Sequence, residues 1–208
     1  MKFIYLHGFA SSPKSFKAQY LKTEFAHLGL KLELPDLNLG NFSTITLSKQ
    51  LAFLQNSFGD SDLAIAGSSL GGYLATLWAA VNPNVKSLFL LAPAFDFGKH
   101  FSDYLGKEAI AAWQSSGTKE FEHFGQMNRV GLGYEFLADA LNLSGIKPPE
   151  IPILILHGRQ DLVVPYQLSQ EFAQGRANTQ LEILETDHGM TNAIAYINQS
   201  IQEFWQIK

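Results

Sequence analysis

The pentapeptide Gly67-Ser68-Ser69-Leu70-Gly71 joins two stretches of very different character. Leu63 to Ala66 is a short apolar run, as expected of a buried strand. Leu70, Tyr73, Leu74, Leu77, Trp78 and Val81 then recur at helical spacing, until Asn82-Pro83 ends the pattern. A chain passing from buried strand to buried helix in so few residues must turn sharply. Glycines two before and two after a serine leave room for neighbouring backbone at such a turn, and the serine oxygen then stands exposed above the sheet. That spacing selects Ser69, between Gly67 and Gly71, over Ser68. A phosphate-cradling loop is a poor match, because no Gly-Lys-Ser/Thr ending follows.

The rest of the chain alternates around this turn. Phe3 to Leu6 reads as a strand, followed by the small-residue loop His7-Gly8-Phe9-Ala10-Ser11-Ser12. Ser12-Pro13 has the form of an N-cap and first helical residue. Phe16, Tyr20, Leu21, Phe25 and Leu28 give the expected apolar face, and Gly29 the stop. Leu30–Leu34 is a second strand, residues 43–58 a second amphipathic helix, and Lys86–Leu91 the strand after the central helix. Ile151–Leu156 is another apolar strand, followed by a helix to about Gly175. Gln180–Leu184 is the last strand, and the final helix begins at about Thr191. Strands alternating with helices imply a parallel sheet covered on both faces. In such sheets functional residues gather at the carboxyl ends of the strands. His7, Ser69, Asp161 and His188 all sit there.

Between residues 95 and 149 the alternation breaks. The segment is rich in aromatic residues and is punctuated by Gly117, Gly125, Gly131 and Gly133. It reads as a mainly helical cap with room for a short hairpin, inserted into one domain spanning 1–208. Phe121 and Phe124 are its expected central aromatics. Because the insertion leaves a strand beside the serine turn, it should overhang Ser69.

Composition removes several classes of function. The chain contains no cysteine, which excludes disulfides, thiolate metal sites and a cysteine nucleophile. Its net charge of −4 comes without a basic stripe, so nucleic acid is not an expected partner. No stretch reaches membrane-spanning length, and the apolar run after Met1-Lys2 is too short for a signal peptide. The expectation is a cytoplasmic protein without a membrane span. The histidines lack H-x-x-x-H or H-x-H spacing, so a metal site built from them is not expected.

Three strand ends carry, in chain order, Ser69, Asp161 and His188. A serine hydroxyl is a weak nucleophile until a base takes its proton, which neutral His188 can do. An acid orients the imidazole and stabilises its charged form. Negative charge developing on a tetrahedral intermediate needs fixed donors. The backbone N–H groups of Leu70 and Phe9 are the candidates. Asp187, beside His188, would have to curl back to reach the ring and reads as a loop-capping residue. Asp96, after the preceding sheet strand, is the rival acid. His157 reads as a loop-shaping hydrogen bonder, and His7 as a shaper of the loop that carries Phe9.

On Tyr5-Leu6-His7-Gly8-Phe9-Ala10-Ser11-Ser12-Pro13, Gly67-Ser68-Ser69-Leu70-Gly71-Gly72-Tyr73, Gly158-Arg159-Gln160-Asp161 with Val164-Pro165, and Asp187-His188-Gly189, the chain resembles a small α/β-hydrolase, specifically the YqiA-type esterases. The resemblance spans nearly the whole chain apart from the insertion. It implies Ser69 as nucleophile, Asp161 as acid, His188 as base, and Phe9 with Leu70 as oxyanion donors. It also implies cofactor-free hydrolysis of carboxylic esters on a sheet of about six strands. The expected substrate is a small-molecule ester or thioester with an apolar acyl group, cleaved through an acyl-serine. The same residues would also serve peptide or carbon–carbon bond hydrolysis or acyl transfer, and the scaffold a non-catalytic binding protein. Self-association as a homodimer through the insertion is compatible with the pattern.

Overall fold

The computed structural model describes residues 1–207. In chain order the elements are β1 (Lys2–Leu6), α1 (Phe16–His27), β2 (Leu32–Glu33), α2 (Leu47–Phe58), β3 (Leu63–Ser68), α3 (Leu70–Val81) and β4 (Val85–Leu91). There follow α4 (Phe97–Leu105), α5 (Lys107–Ser116), β5 (Thr118–His123), β6 (Asn128–Gly133) and α6 (Glu135–Asn142). The chain ends with β7 (Ile153–Gly158), α7 (Gln167–Ala173), β8 (Thr179–Leu184) and α8 (Ile194–Trp205). Six strands form one parallel sheet in the order β2-β1-β3-β4-β7-β8, and β5 and β6 pair separately as an antiparallel hairpin.

Side chains alternate across each strand, and this sorts the core into two layers. Ile4 and Leu6 of β1, Ile65 of β3, Leu88 and Leu90 of β4 and Ile155 of β7 face α2 and α3, packing with Leu54, Leu74 and Trp78. Phe3, Tyr5, Ala64, Ala66, Phe89 and Leu156 face the other way, onto Leu21 and Phe25 of α1 and Ile197, Ile201 and Trp205 of α8. The strands read as unbroken apolar runs because both faces are covered.

The helix starts depart from the sequence expectation for local reasons. Ser12 does not begin α1. Its Oγ accepts from the Lys14 N–H at 3.2 Å and its carbonyl from the Ser15 N–H at 3.1 Å, closing a turn before the helix begins. Phe16 is consequently exposed, and Ala18 joins Leu21 and Phe25 on the buried face. The second helix also starts late, because Thr46 Oγ1 accepts from the Lys49 N–H at 3.2 Å and caps α2. The second strand shrinks to two residues at the sheet edge. β7 begins only after Pro152, which has no N–H to give to the ladder.

The insertion between β4 and β7 consists of α4, α5, the hairpin and α6. Gly106, with φ of 79°, separates α4 from α5. Trp113, Leu132, Phe136 and Leu137 carry it onto the core layer of α2 and α3. The hairpin is pinned from its end. His123 Nε2 lies 3.1 Å from Asn38 Oδ1, and its Nδ1 accepts from the Gln126 N–H at 3.2 Å. Burial, first of all, lowers the pKa of His123.

One contact fixes where β3 hands over to α3. A Cβ on Gly71 would run into the carbonyl oxygens of Leu6 and His7 at the end of β1, and one on Gly67 into the Gly71 carbonyl. Gly71→Ala is therefore expected to destabilise the fold by about 1–3 kcal/mol, the usual cost of overpacking a site that cannot yield. Urea denaturation measures this as a lowered midpoint with an unchanged slope.

Candidate active site

Ser69 occupies the turn between β3 and α3 with φ of 54° and ψ of −122°. Few L-residues adopt this conformation, and holding it costs on the order of 1–3 kcal/mol. The surroundings enforce it. The Ser69 N–H donates to the Leu91 carbonyl at 2.9 Å, and the Ser69 carbonyl accepts from the N–H groups of Gly72 at 2.9 Å and Ala94 at 3.1 Å. Its side chain is half-buried, whereas Ser68, the last residue of β3, is buried. Burial raises the pKa of the Tyr5 phenol, and a hydrogen bond with Ser68 partly offsets this.

Ser69, Asp161 and His188 lie in one hydrogen-bonded chain. His188 Nε2 is 3.1 Å from Ser69 Oγ, and His188 Nδ1 is 2.7 Å from Asp161 Oδ2. Both distances are in hydrogen-bond range. Asp161 stands in the loop after β7, and its side chain has no solvent exposure. Its other oxygen, Oδ1, accepts from the N–H groups of Val163 and Val164, each at 2.8 Å. Burial alone would raise the pKa of the Asp161 carboxyl. Hydrogen bonds from His157, His188 and the Val164 N–H outweigh it and hold the group well below the usual carboxylate range.

The rivals for the acid are placed elsewhere. Asp187 is exposed, and its Oδ1 accepts from the Met190 N–H at 3.0 Å. It closes the turn that presents His188. Asp96 sits in the left-handed region, with φ of 50°, and its Oδ1 is buried without a partner among the described residues. Its charge bears on Tyr73, whose phenol is pushed up to about 12 by burial and, secondarily, by Asp96. No hydrogen bond joins Asp96 to His188 among the described residues.

The Phe9 loop lies on the other side of Ser69. His7 Nδ1 donates to the Gly8 carbonyl at 2.9 Å, and His7 Nε2 accepts from the Leu37 N–H at 3.0 Å, which fixes the ring as a loop brace. Gly8 passes close to the serine, and a Cβ there would lie 3.3 Å from Ser69 Cβ. Among the described residues, the backbone N–H groups of Phe9 and Leu70 have no acceptor. That of Leu70 is also one of the free donors at the start of α3. The Phe9 ring meets Phe42, Phe97, Phe101, Phe121 and Phe136 at centroid distances between 5.4 and 6.1 Å. Its side chain therefore anchors the loop to the insertion.

A pocket of about 190 Å³ opens beside Ser69. Phe9, Phe95, Phe97, Phe101, Val164 and Leu168 give it apolar walls, and His100 and Tyr104 stand along its lining. The two aromatic residues that the sequence suggested as central do not line it. Phe121 packs behind Phe9 and Phe101, and Phe124 is exposed on the hairpin. The face of α4 determines the pocket instead. Among the described residues no group of three or more histidine or acidic side chains is arranged to hold a metal ion. No helix among them is long and apolar enough to cross a membrane.

Sequence reasoning passed over Lys17. From α1 its Nζ donates to the carbonyl of Gly189 at 2.8 Å, immediately after His188. Burial pushes its ammonium down to about 8, against the pull of Asp161 and Asp187. Lys17 lies one residue from the expected apolar face of α1, so periodicity reads it as a solvated lysine. Its contact is 172 residues away along the chain and leaves no local signal.

The depressed Asp161 carboxyl has a consequence for stability. Its contribution is fully present above the unfolded aspartate value of about 3.9 and is lost as pH falls through the lower folded value. Denaturation midpoints at pH 6 and pH 2 should show the protein losing about 2 kcal/mol more than Asp161→Asn over that interval. Equal losses in the two proteins would mean that the carboxylate is not favourably held.

Residues 2–206 match the uncharacterised protein family UPF0227. Solved structures share the architecture. A putative hydrolase from Agrobacterium vitis S4 superimposes with a TM-score of 0.81 at 22% identity, covering 100% of this chain and 88% of that one. Alpha/beta hydrolase domain-containing protein 10 from mouse superimposes with a TM-score of 0.79 at 21% identity, covering 99% of this chain and 89% of that one. Est1E from Butyrivibrio proteoclasticus with bound ferulic acid gives 0.76 at 21% identity, covering 98% and 87%. The family match spans nearly the whole chain and the structural likeness extends over the sheet and the insertion alike, so the chain belongs to the UPF0227 family and has the α/β-hydrolase fold.

Proposed function

We propose that the protein is a serine hydrolase that cleaves small carboxylic esters or thioesters with an apolar acyl group. The observation that carries this reading is the chain Ser69 Oγ to His188 Nε2 at 3.1 Å and His188 Nδ1 to Asp161 at 2.7 Å, beside an apolar pocket. Est1E, which shares the fold, was solved with ferulic acid bound. A carboxylic acid is the kind of product such chemistry releases.

In this reading His188 Nε2 takes the proton of Ser69 as Oγ attacks the acyl carbon. Asp161 holds the ring with Nδ1–H toward itself and stabilises the imidazolium. The carbonyl oxygen becomes an oxyanion and accepts from the N–H groups of Phe9 and Leu70, donors worth about 3–4 kcal/mol each in related sites. The intermediate collapses, the bond to the alcohol or thiol breaks, and the leaving group takes the proton from His188. Water then repeats the sequence on the acyl-serine and releases the acid and free Ser69. The insertion acts as a cap in which α4 supplies the walls that receive the acyl chain.

The test is turnover of p-nitrophenyl esters. Ser69→Ala should abolish hydrolysis while Ser68→Ala retains it, and Asp161→Asn should lower kcat by roughly 10⁴-fold, the loss seen when a triad acid becomes an amide. The kcat/KM of the unaltered protein should rise along an acid limb, because only a neutral ring can take the serine proton, and then level off. A flat profile, or equal activity of Ser69→Ala, contradicts the reading.

The pocket walls predict selectivity as well. From acetate to butyrate and hexanoate, kcat/KM should rise by about fourfold per carbon, the equivalent of about 0.8 kcal/mol per buried methylene, until the pocket is full. Phe101→Ala should flatten that rise, whereas Phe124→Ala, on the exposed hairpin, should leave it unchanged. An acyl-length series on the three proteins measures this.

A further inference from the structure

Asp161 has a second histidine. His157, in β7, is fully buried, and its Nε2 lies 3.2 Å from Asp161 Oδ2, the same oxygen that meets His188. The same Nε2 lies 2.9 Å from the Val164 carbonyl oxygen. A carbonyl can only accept, so Nε2 carries the proton and shares it between that carbonyl and the carboxylate. The other ring nitrogen, Nδ1, is 2.7 Å from the hydroxyl of Ser169, which is itself fully buried. A hydroxyl can donate to the unprotonated Nδ1, so neutral His157 is fully satisfied. Ser169 and His157 repeat the residue types of the site above, but without solvent access they cannot meet a substrate.

We infer that His157 is a positioning residue that tunes the base of the proposed hydrolase by dividing the charge of Asp161 between two imidazoles. The inference rests on the proposed roles of Ser69, Asp161 and His188. Oδ1 is already taken by the N–H groups of Val163 and Val164, so both rings compete for Oδ2. Each donor on a carboxylate withdraws part of the charge available to the other. Without the His157 proton, Oδ2 would bind His188 more strongly and favour its imidazolium over the neutral ring needed to take the serine proton. The other charged groups facing this cluster are Lys17 from α1 and Asp187 from the loop after β8. The substitutions below leave both in place.

Three proteins test this. His157→Leu removes the donor and should move the acid limb of the kcat/KM profile up by about half to one pH unit, the scale of one lost hydrogen bond to a carboxylate. It should lower plateau kcat by about tenfold with KM unchanged, because the carboxylate loses part of its alignment. His157→Gln, whose side-chain N–H reaches the same oxygen, should restore the limb. An unmoved limb in His157→Leu, or the same profile in both variants, overturns the inference. Nitrogen-15 spectra of the unaltered protein give an independent answer that needs neither variant to fold. They should show the neutral ring of His157 protonated at Nε2 and bare at Nδ1. The opposite tautomer overturns the inference, because no proton would then face Asp161. If the protein hydrolyses no ester but shows the expected tautomer, the proposed function fails while the shared carboxylate stands.

Discussion

The site depends on how closely α3 approaches the end of β1. Gly71 rests against the carbonyls of Leu6 and His7, with no room for a Cβ, and Gly67 rests against Gly71 in the same way. This contact sets three things together. It holds Ser69 in a left-handed conformation at the top of the sheet. It points the free N–H groups at the start of α3 to the same place. It brings the loop from His7 to Ala10 alongside the serine.

Asp161 and His188 come from elements that do not touch that contact, and separate devices hold them. Asp161 is fixed by two backbone N–H groups and two imidazoles. His188 is presented by a turn that Asp187 closes and Lys17 ties to α1. Phe9 is held from the insertion by its ring of aromatic neighbours. The insertion thus positions the loop carrying one candidate oxyanion donor and also walls the pocket. Changes in its packing should therefore affect the rate as well as the choice of substrate.

Much of this was legible in the sequence, for identifiable reasons. Buried parallel strands must be apolar on both faces, so β1, β3, β4 and β7 read as short unbroken runs. The turn at Ser69 demands glycine at fixed offsets, which made its register readable. Side-chain competition for backbone groups was harder to see. Ser12 closed a turn instead of capping a helix, and Thr46 set a later start for α2. In the insertion, composition showed that aromatic residues were concentrated but not which way they faced. Phe97 and Phe101 reach the pocket from α4, whereas Phe121 packs behind Phe101. Lys17 acts through a contact that periodicity does not record, whereas His157, at a strand end, read as the loop-shaping hydrogen bonder that its contact with the Val164 carbonyl makes it.

If Ser69 is the nucleophile, a covalent probe of serine hydrolases will be trapped on it. The protein would be treated with a fluorophosphonate, digested and mapped by mass spectrometry. A single adduct on Ser69 is expected, formed more slowly after His188→Ala. An adduct on Ser68, or no adduct on a folded protein, would contradict it.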